Sequence, residues 1–398
     1  MTTVFFWLSV SVFSLVLTVS TGYSQSSSKT KHEATEVLND SILLFAKEYL
    51  QREPITITSV QCVRSKGTIH DFYSEGDYWW PDPDHPDGPY IRRDGNSNPD
   101  NFNQHRELLY RFSVTVGNLA SAFVLTGEKQ YAHAIVKHLQ AWFVNKDTRM
   151  NPNLHYSQAI KGKCEGRYIG IIDGIHFIEV AQAVRILEQK QAIGDKDLQT
   201  VKQWFSDYLQ WLVDSDYGKK EKAHPNNHGT WWNVQAAMYA RLTNNEEVLY
   251  LCSNNYKTNL LPNQMATDGS FPEELSRTKP YAYSIFNLEA MTMSCVILSP
   301  VDDNLWKYST GDGKNIKNAI SFMTPYLQDK SKWPYPPDVM HWNDWPVAMS
   351  STLFGAIKFD NSNWFTTWKN SSHFMNPSKK ELIRNVVIRN PVIWFEDL

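Results

Sequence analysis

From Asn103 to Ile357 the sequence is a succession of apolar stripes at helical spacing, each about three to five turns long and separated by short breaks. A chain patterned this way can bury its stripes only helix against helix, so the expected class is all-α. The first stripe, Asn103–Leu125, places Leu108, Leu109, Phe112, Val116, Leu119 and Phe123 on one face, and Gly127 stands where a left-handed residue would end the helix. The next, Lys129–Val144, repeats the pattern through Ile135, Leu139, Trp142 and Phe143. Further helices are expected at Tyr168–Lys190, Asp195–Asp214 (with Asp195 as N-cap), Thr230–Leu242, Glu246–Leu261, Tyr283–Leu298, Ile316–Leu327 and Trp345–Ile357. Strand-like alternation is scarce. Around a dozen helices with short connections imply antiparallel hairpins that could wrap into a bundle, a solenoid or a closed toroid, and no fixed period marks a solenoid. A closed α/α toroid gathers its long loops around one mouth, and this chain has such loops.

Ahead of the stripes, Val4 to Val19 is apolar, and no Asp, Glu, Lys or Arg precedes Lys29. Gly22 and Ser24 put small residues three positions and one position before a cut after Ser24. Residues 1–24 therefore read as a signal peptide, although the charged start is missing, and 25–398 as one domain. The expected product is secreted or periplasmic, without stable membrane association after cleavage, and no later segment reads as apolar enough to span a bilayer. With 39 basic and 42 acidic residues the formal charge is −3, which announces no nucleic-acid partner. A polyanionic ligand would have to be held by local cations in a cleft. Cys62, Cys164, Cys252 and Cys295 are scattered without metal-type spacing.

The longest break, Phe72 to Asn103, is too rich in Pro, Gly, Asp and Asn for a helix and too rich in aromatics for disorder. It reads as a lid carrying Trp79, Trp80 and Tyr90 as sugar platforms and Arg92 and Arg93 as cations. Three polar segments interrupt the stripes: MNPNLHYSQ (150–158), HPNNHGTWW (224–232) and DGSFPEELSRTKPYAY (268–283). Their side chains suit elimination from a uronide. The C5 proton becomes removable only if the adjoining carboxylate is neutralised, and Asn226, Asn227, His228 and Arg277 are groups of that kind. A tyrosine near a cation can exchange protons with the substrate, and Tyr283 follows Arg277 by six residues; its pKa is expected to be lowered by that cation.

In this order, MNPNLHYSQAI, NNHGTWW and DGSFPEELSRTKPYAYSIFNL resemble the signature segments of the alginate lyase superfamily. With the YWWPDP and GPYIRRDG pieces of the lid, the likeness runs from about Tyr78 to Trp345 and is nearest to polysaccharide lyase family 38, with family 5 more distant. The resemblance implies an α/α toroid and β-elimination without metal or other cofactor, on an acidic polysaccharide such as alginate or glucuronan. It puts Tyr283 in the place of the catalytic tyrosine, His228 in that of the histidine, Asn227 in that of the carboxylate-neutralising asparagine, and Arg277 in that of the supporting arginine. Gln158 matches a substrate-binding position, and His155 and Tyr156 lie in the same segment. Gly229-Thr230 departs from the Ser-Tyr that follows the histidine in family 5.

Each residue also has a plainer role. Asn226 or Asn227 could cap the following helix, Arg277 could pair with Glu273 or Glu274, and Tyr283 could be core. Two rival functions stand beside the lyase. A toroidal glycoside hydrolase would need two carboxylates, for which Asp268, Glu273, Glu274, Asp77 and Asp82 are available. A glycan-binding protein would keep the cleft without turnover. A further rim loop is expected at Lys332–Trp345, with Trp333, Tyr335, His341 and Trp342 as candidate sugar contacts.

Overall fold

A computed structural model of the chain describes residues 8–299, 304–373 and 379–398, and side chains from residue 26 onward. Its helices are α1 (Leu8–Tyr49), α2 (Gln104–Thr126), α3 (Lys129–Leu139), α4 (Phe177–Gln189), α5 (Asp195–Asp214), α6 (Asp216–Lys222), α7 (Asn227–Thr243), α8 (Glu246–Asn255), α9 (Leu261–Gln264), α10 (Pro272–Leu275), α11 (Pro280–Leu298), α12 (Ile316–Gln328), α13 (Ser350–Phe359), α14 (Ser362–Asn370) and α15 (Lys380–Asn385). Among the described residues four short strands, β1 (Tyr73–Glu75), β2 (Trp79–Trp80), β3 (Ile91–Arg92) and β4 (Tyr156–Ala159), form a parallel β1–β4 pair and an antiparallel β2–β3 pair.

An inner ring runs α1, α2, α4, α7, α11, α13 and back to α1, each packed on the next. Helices α3, α5, α8, α12 and α14 pack outside it. The architecture is an α/α toroid. Sequence explains which helices lie inside: α7 and α11 are apolar or small on every face and are buried almost throughout, whereas α5 keeps polar residues on its outer side. Two inner helices, α2 and α11, are in fact long and apolar enough to cross a membrane, contrary to the expectation above, but 67% and 94% of their apolar windows are buried inside the protein. They are core.

Several boundaries move for local reasons. Asp195 opens α5 but does not cap it; Gly194 holds the N-cap position. The stretch Tyr168–His176 is a tight 3-10 turn before α4. The last expected helix starts at Ser350, not Trp345, because a residue preceding a proline, here Pro346, is pushed out of helical geometry. The expected leader falls on residues 1–7, outside the described residues, and on 8–24, described by backbone alone as the start of α1. Beyond it, Ala34, Leu38, Ile42 and Ala46 of α1 are buried and close the ring.

Candidate active site

The polar segments meet at one mouth of the ring, around a cavity of about 610 Å³. Its wall includes Tyr78 and Trp79 of the lid, Gln158, the start of the 3-10 turn, the N-terminus of α7, Arg277, Tyr283, and Arg384 and Asn385 of α15. A larger groove of about 780 Å³ along α1 and α2 holds none of the candidate residues.

Tyr283 sits in the first turn of α11, which Asp338 pins by accepting from Tyr281 N at 2.9 Å and Ala282 N at 3.0 Å. Its hydroxyl lies 2.7 Å from that of Tyr78 and 3.4 Å from Arg277 Nη2, and the guanidinium stands 4.4 Å from its ring centroid. The expected lowering of its pKa does not occur. Burial pushes the phenol up by more than Arg277 and Tyr78 pull it down, so Tyr283 is protonated in the free protein. Arg277 does not pair with Glu273 or Glu274; the lid's Asp94 accepts from its Nη2 at 3.2 Å and from Thr278 Oγ1 at 3.0 Å. Gly95 allows that docking, since a Cβ there would lie 2.4 Å from Thr278 Oγ1.

At α7 the two asparagines divide the plain and the candidate roles. Asn226 is the N-cap, accepting from His228 N at 3.1 Å. Asn227 turns to Glu274, as described below. His228 Nδ1 lies 2.7 Å from Glu221 Oε1 of α6. Glu221 is fully buried, and burial raises its pKa against the pull of His228. A carboxylate there accepts a hydrogen bond from Nδ1–H and leaves Nε2 as the accepting nitrogen, the arrangement a base needs. His224 lies outside the helix, its ring 5.0 Å from that of His228, with its pKa lowered by burial to about 4. Gly229 has a steric reason: a Cβ would sit 2.3 Å from the His224 carbonyl oxygen. Among the described residues no group of three His, Cys, Asp or Glu could hold a metal ion.

Gln158 is held at a φ of 51°, a left-handed conformation costly for a non-glycine residue. Ser74 Oγ accepts from its N–H at 2.8 Å, Asp173 accepts from its Nε2 at 3.2 Å, and Arg167 donates to its main-chain O and to its Oε1, both at 2.9 Å. Trp79 and Arg92 also line the cavity, Trp79 under the cations of Lys163 and Arg167.

The other expected contacts do not line it. Trp80 donates to Asn96 O and stacks under Arg93, Tyr90 lies under Lys161, His155 packs on Trp211, and Tyr156 pairs with Tyr73 in the β1–β4 ladder. Trp333 and Trp342 pack edge-on against Tyr281. Sequence reasoning missed Tyr78, Glu221, Arg167, Asp173 and Arg384. Glu221 stands in a lysine-rich run that reads as a solvated face, and Arg384 comes from the far end of the chain, where it pairs with Asp77.

Among the described residues, the carboxylates offered for the hydrolase form no free pair at the cavity. Glu273 is exposed, Asp268 closes a turn on Ser270, Glu274 is covered by Asn227, and Asp82 accepts from Asp84 N. The acids lining the cavity are Asp77 and Asp173, both bound by Arg106.

A family model described as alginate lyase matches residues 57–333. Similar solved structures include an alginate lyase from Bacteroides ovatus, 29% identical with a TM-score of 0.78, covering 93% of this chain and 97% of that one. Alginate lyase A1-III from Sphingomonas species A1 is 15% identical with a TM-score of 0.51, covering 81% and 88%. A variant of alginate lyase A1-III complexed with tetrasaccharide is 15% identical with a TM-score of 0.53, covering 79% and 82%. At that identity these two speak for the fold alone. No curated protein sequence matches the chain. With the matched region spanning most of the ring and all four of Asn227, His228, Arg277 and Tyr283, the chain belongs to the alginate lyase family and is a polysaccharide lyase, a carbon–oxygen lyase.

Proposed function

We propose that the protein cleaves a 1,4-linked uronic-acid polymer, alginate (polymannuronate) or glucuronan, by β-elimination, and that it acts outside the cytoplasm after loss of residues 1–24. The observation that carries this reading is the clustering of Tyr283, Arg277 and a carboxylate-oriented His228 around one cavity whose acids are both bound by arginine. Alginate as a substrate draws support from the family description and from the name of the Bacteroides ovatus neighbour.

In the proposed reaction a base removes the C5 proton, the C5–H electron pair forms the C4=C5 double bond, and the C4–O4 bond breaks with its pair leaving on O4. Arg277 and Asn227 meet the uronate carboxylate, where charge builds as C5 loses its proton. Tyr283, protonated in the free protein, donates to O4. His228 takes the C5 proton when it lies on the opposite face. For the other C5 epimer the tyrosine oxygen itself is the base: its proton is first released to solvent, the phenolate takes the C5 proton, and that same proton is then passed to O4. Trp79 and the cation-rich wall around Gln158 hold neighbouring sugars. The test is the ultraviolet absorbance of the conjugated double bond during digestion of polymannuronate, polyguluronate and glucuronan with a chelator present. A rise with one polymer is expected. New reducing ends without a rise would mean hydrolysis and overturn the reading.

A further inference from the structure

Glu274 is fully buried in α10, and Asn227 covers both of its oxygens. The Asn227 backbone N–H donates to Oε1 at 2.6 Å, and its side-chain nitrogen lies 2.9 Å from Oε1 and 2.8 Å from Oε2. Three residues on, Arg277 donates its backbone N–H to the Glu274 carbonyl at 3.1 Å. One residue thus touches both groups assigned above to the substrate's carboxylate, Asn227 through its carboxylate and Arg277 through its main chain.

A primary amide has a donor end and an acceptor end. An ionised Glu274 can only accept, so it claims the Asn227 nitrogen and leaves Oδ1 as the free end of the amide. An oxygen acceptor facing a uronate repels it. A protonated Glu274 can donate to Oδ1 instead, so the amide turns over and Nδ2 becomes free to donate to the substrate. The backbone N–H of Asn227 keeps the second carboxyl oxygen in either state.

We propose that Glu274 is a positioning residue whose proton decides which end of the Asn227 amide meets the substrate, so that binding a uronate takes up a proton. The proposal rests on the elimination reading above. Burial supports it, raising the Glu274 pKa to about 7 against the lowering effects of the Asn227 bonds, Arg277 and His228. The charged groups facing it are Arg277, itself set against Asp94 and Tyr283, and His228 on α7, which carries Glu221 and His224 beside it. A substrate carboxylate adds a negative charge and pushes the same equilibrium further towards the protonated acid.

The experiment is titration calorimetry of a saturated oligouronate into Tyr283→Phe protein, in which turnover is slowed by orders of magnitude, using buffers of different protonation enthalpy. At about pH 8 the buffer dependence of the heat is expected to report uptake of roughly one proton per oligomer, and affinity should fall about tenfold per pH unit above that range. Adding Glu274→Gln, whose amide permanently donates to Asn227 Oδ1, should abolish the uptake and flatten the affinity profile. Zero uptake with measurable binding in the Tyr283→Phe protein overturns the proposal, and that result stands even if the glutamine variant fails to fold. Equal uptake in a folded Glu274→Gln variant overturns it too. Absence of any oligouronate binding sinks the elimination reading itself, and the proposal with it.

Discussion

The aromatic seam between the inner helices α2 and α4 and the outer layer, and the charged mouth, are both buried, yet they are held in opposite ways. In the seam, Phe112 stacks on Trp142 with centroids 4.5 Å apart, Phe143 meets Trp204 at 4.4 Å, and Phe177 meets Trp204 at 5.3 Å. Such rings gain by leaving water and need few specific partners. At the mouth, Arg106 bridges Asp77 and Asp173, Arg384 lies on Asp77 with its pKa drawn down by burial to about 10, and Glu221 and Glu274 are buried acids. Buried charges of this kind cost more to desolvate than their pairing readily returns. The comparison teaches that the apolar seam between the two helix layers supplies stability, which lets the mouth keep groups, Gln158 among them, in conformations useful to chemistry rather than to folding.

The largest effect that would sharpen this division is chemical. Tyr283→Phe removes one hydroxyl and should lower kcat by about 10²–10⁴-fold with little change in melting temperature, measured by steady-state kinetics and calorimetry. A large loss of stability instead would mean that the tyrosine is structural. Next comes the seam. Phe143→Ala should cost about 3–5 kcal/mol in denaturant unfolding while kcat/KM of the folded fraction stays near wild type. A proportionate loss of activity would break the separation between seam and mouth.

Glu221→Gln weakens the anchor of His228 and should reduce kcat by about 10- to 100-fold on the epimer that uses the histidine. An equal loss on both epimers would contradict the division of labour between His228 and Tyr283. A smaller effect concerns Glu289, a buried acid of α11 whose pKa burial raises from 4.5 to about 7. Its folded-state value exceeds its unfolded value, so its stabilising contribution is present below about pH 4.5 and is lost as pH rises through about 7. Melting temperature should therefore fall by a few degrees between about pH 5 and 8, and Glu289→Gln should flatten that fall. The least effect is expected at the lid's outer face, where Trp80→Ala should change KM by less than about twofold because Trp80 does not line the cavity. A larger rise would show that substrate extends over the lid.

What was legible in the sequence was whatever depends on near neighbours along the chain. The period of apolar residues dictated the long helices (α2 to α5, α7, α8, α11, α12 and most of α13) but not the short α6, α9 and α10, and the order of the three polar segments brought Tyr283, His228, Asn227 and Arg277 to one cavity. A helix stripe and a loop motif are both properties of adjacent residues. The same reasoning could not separate the aromatics: Trp80, Tyr90 and Trp333 look alike in sequence wherever they point, and here none of the three lines the cavity.

Only the tertiary structure decided what surrounds each group. Glu221 lies seven residues from His228, and Arg384 lies 307 residues from Asp77, yet both pairs are in contact at the mouth. The pKa of Tyr283 went against expectation for the same reason: charge proximity can be guessed from spacing, but burial is set by every element that closes over the group. Local pattern determines secondary structure because hydrogen bonds and stripes repeat within a few residues. Desolvation and pairing are fixed by the assembled ring, because they depend on atoms the chain brings together only when it folds.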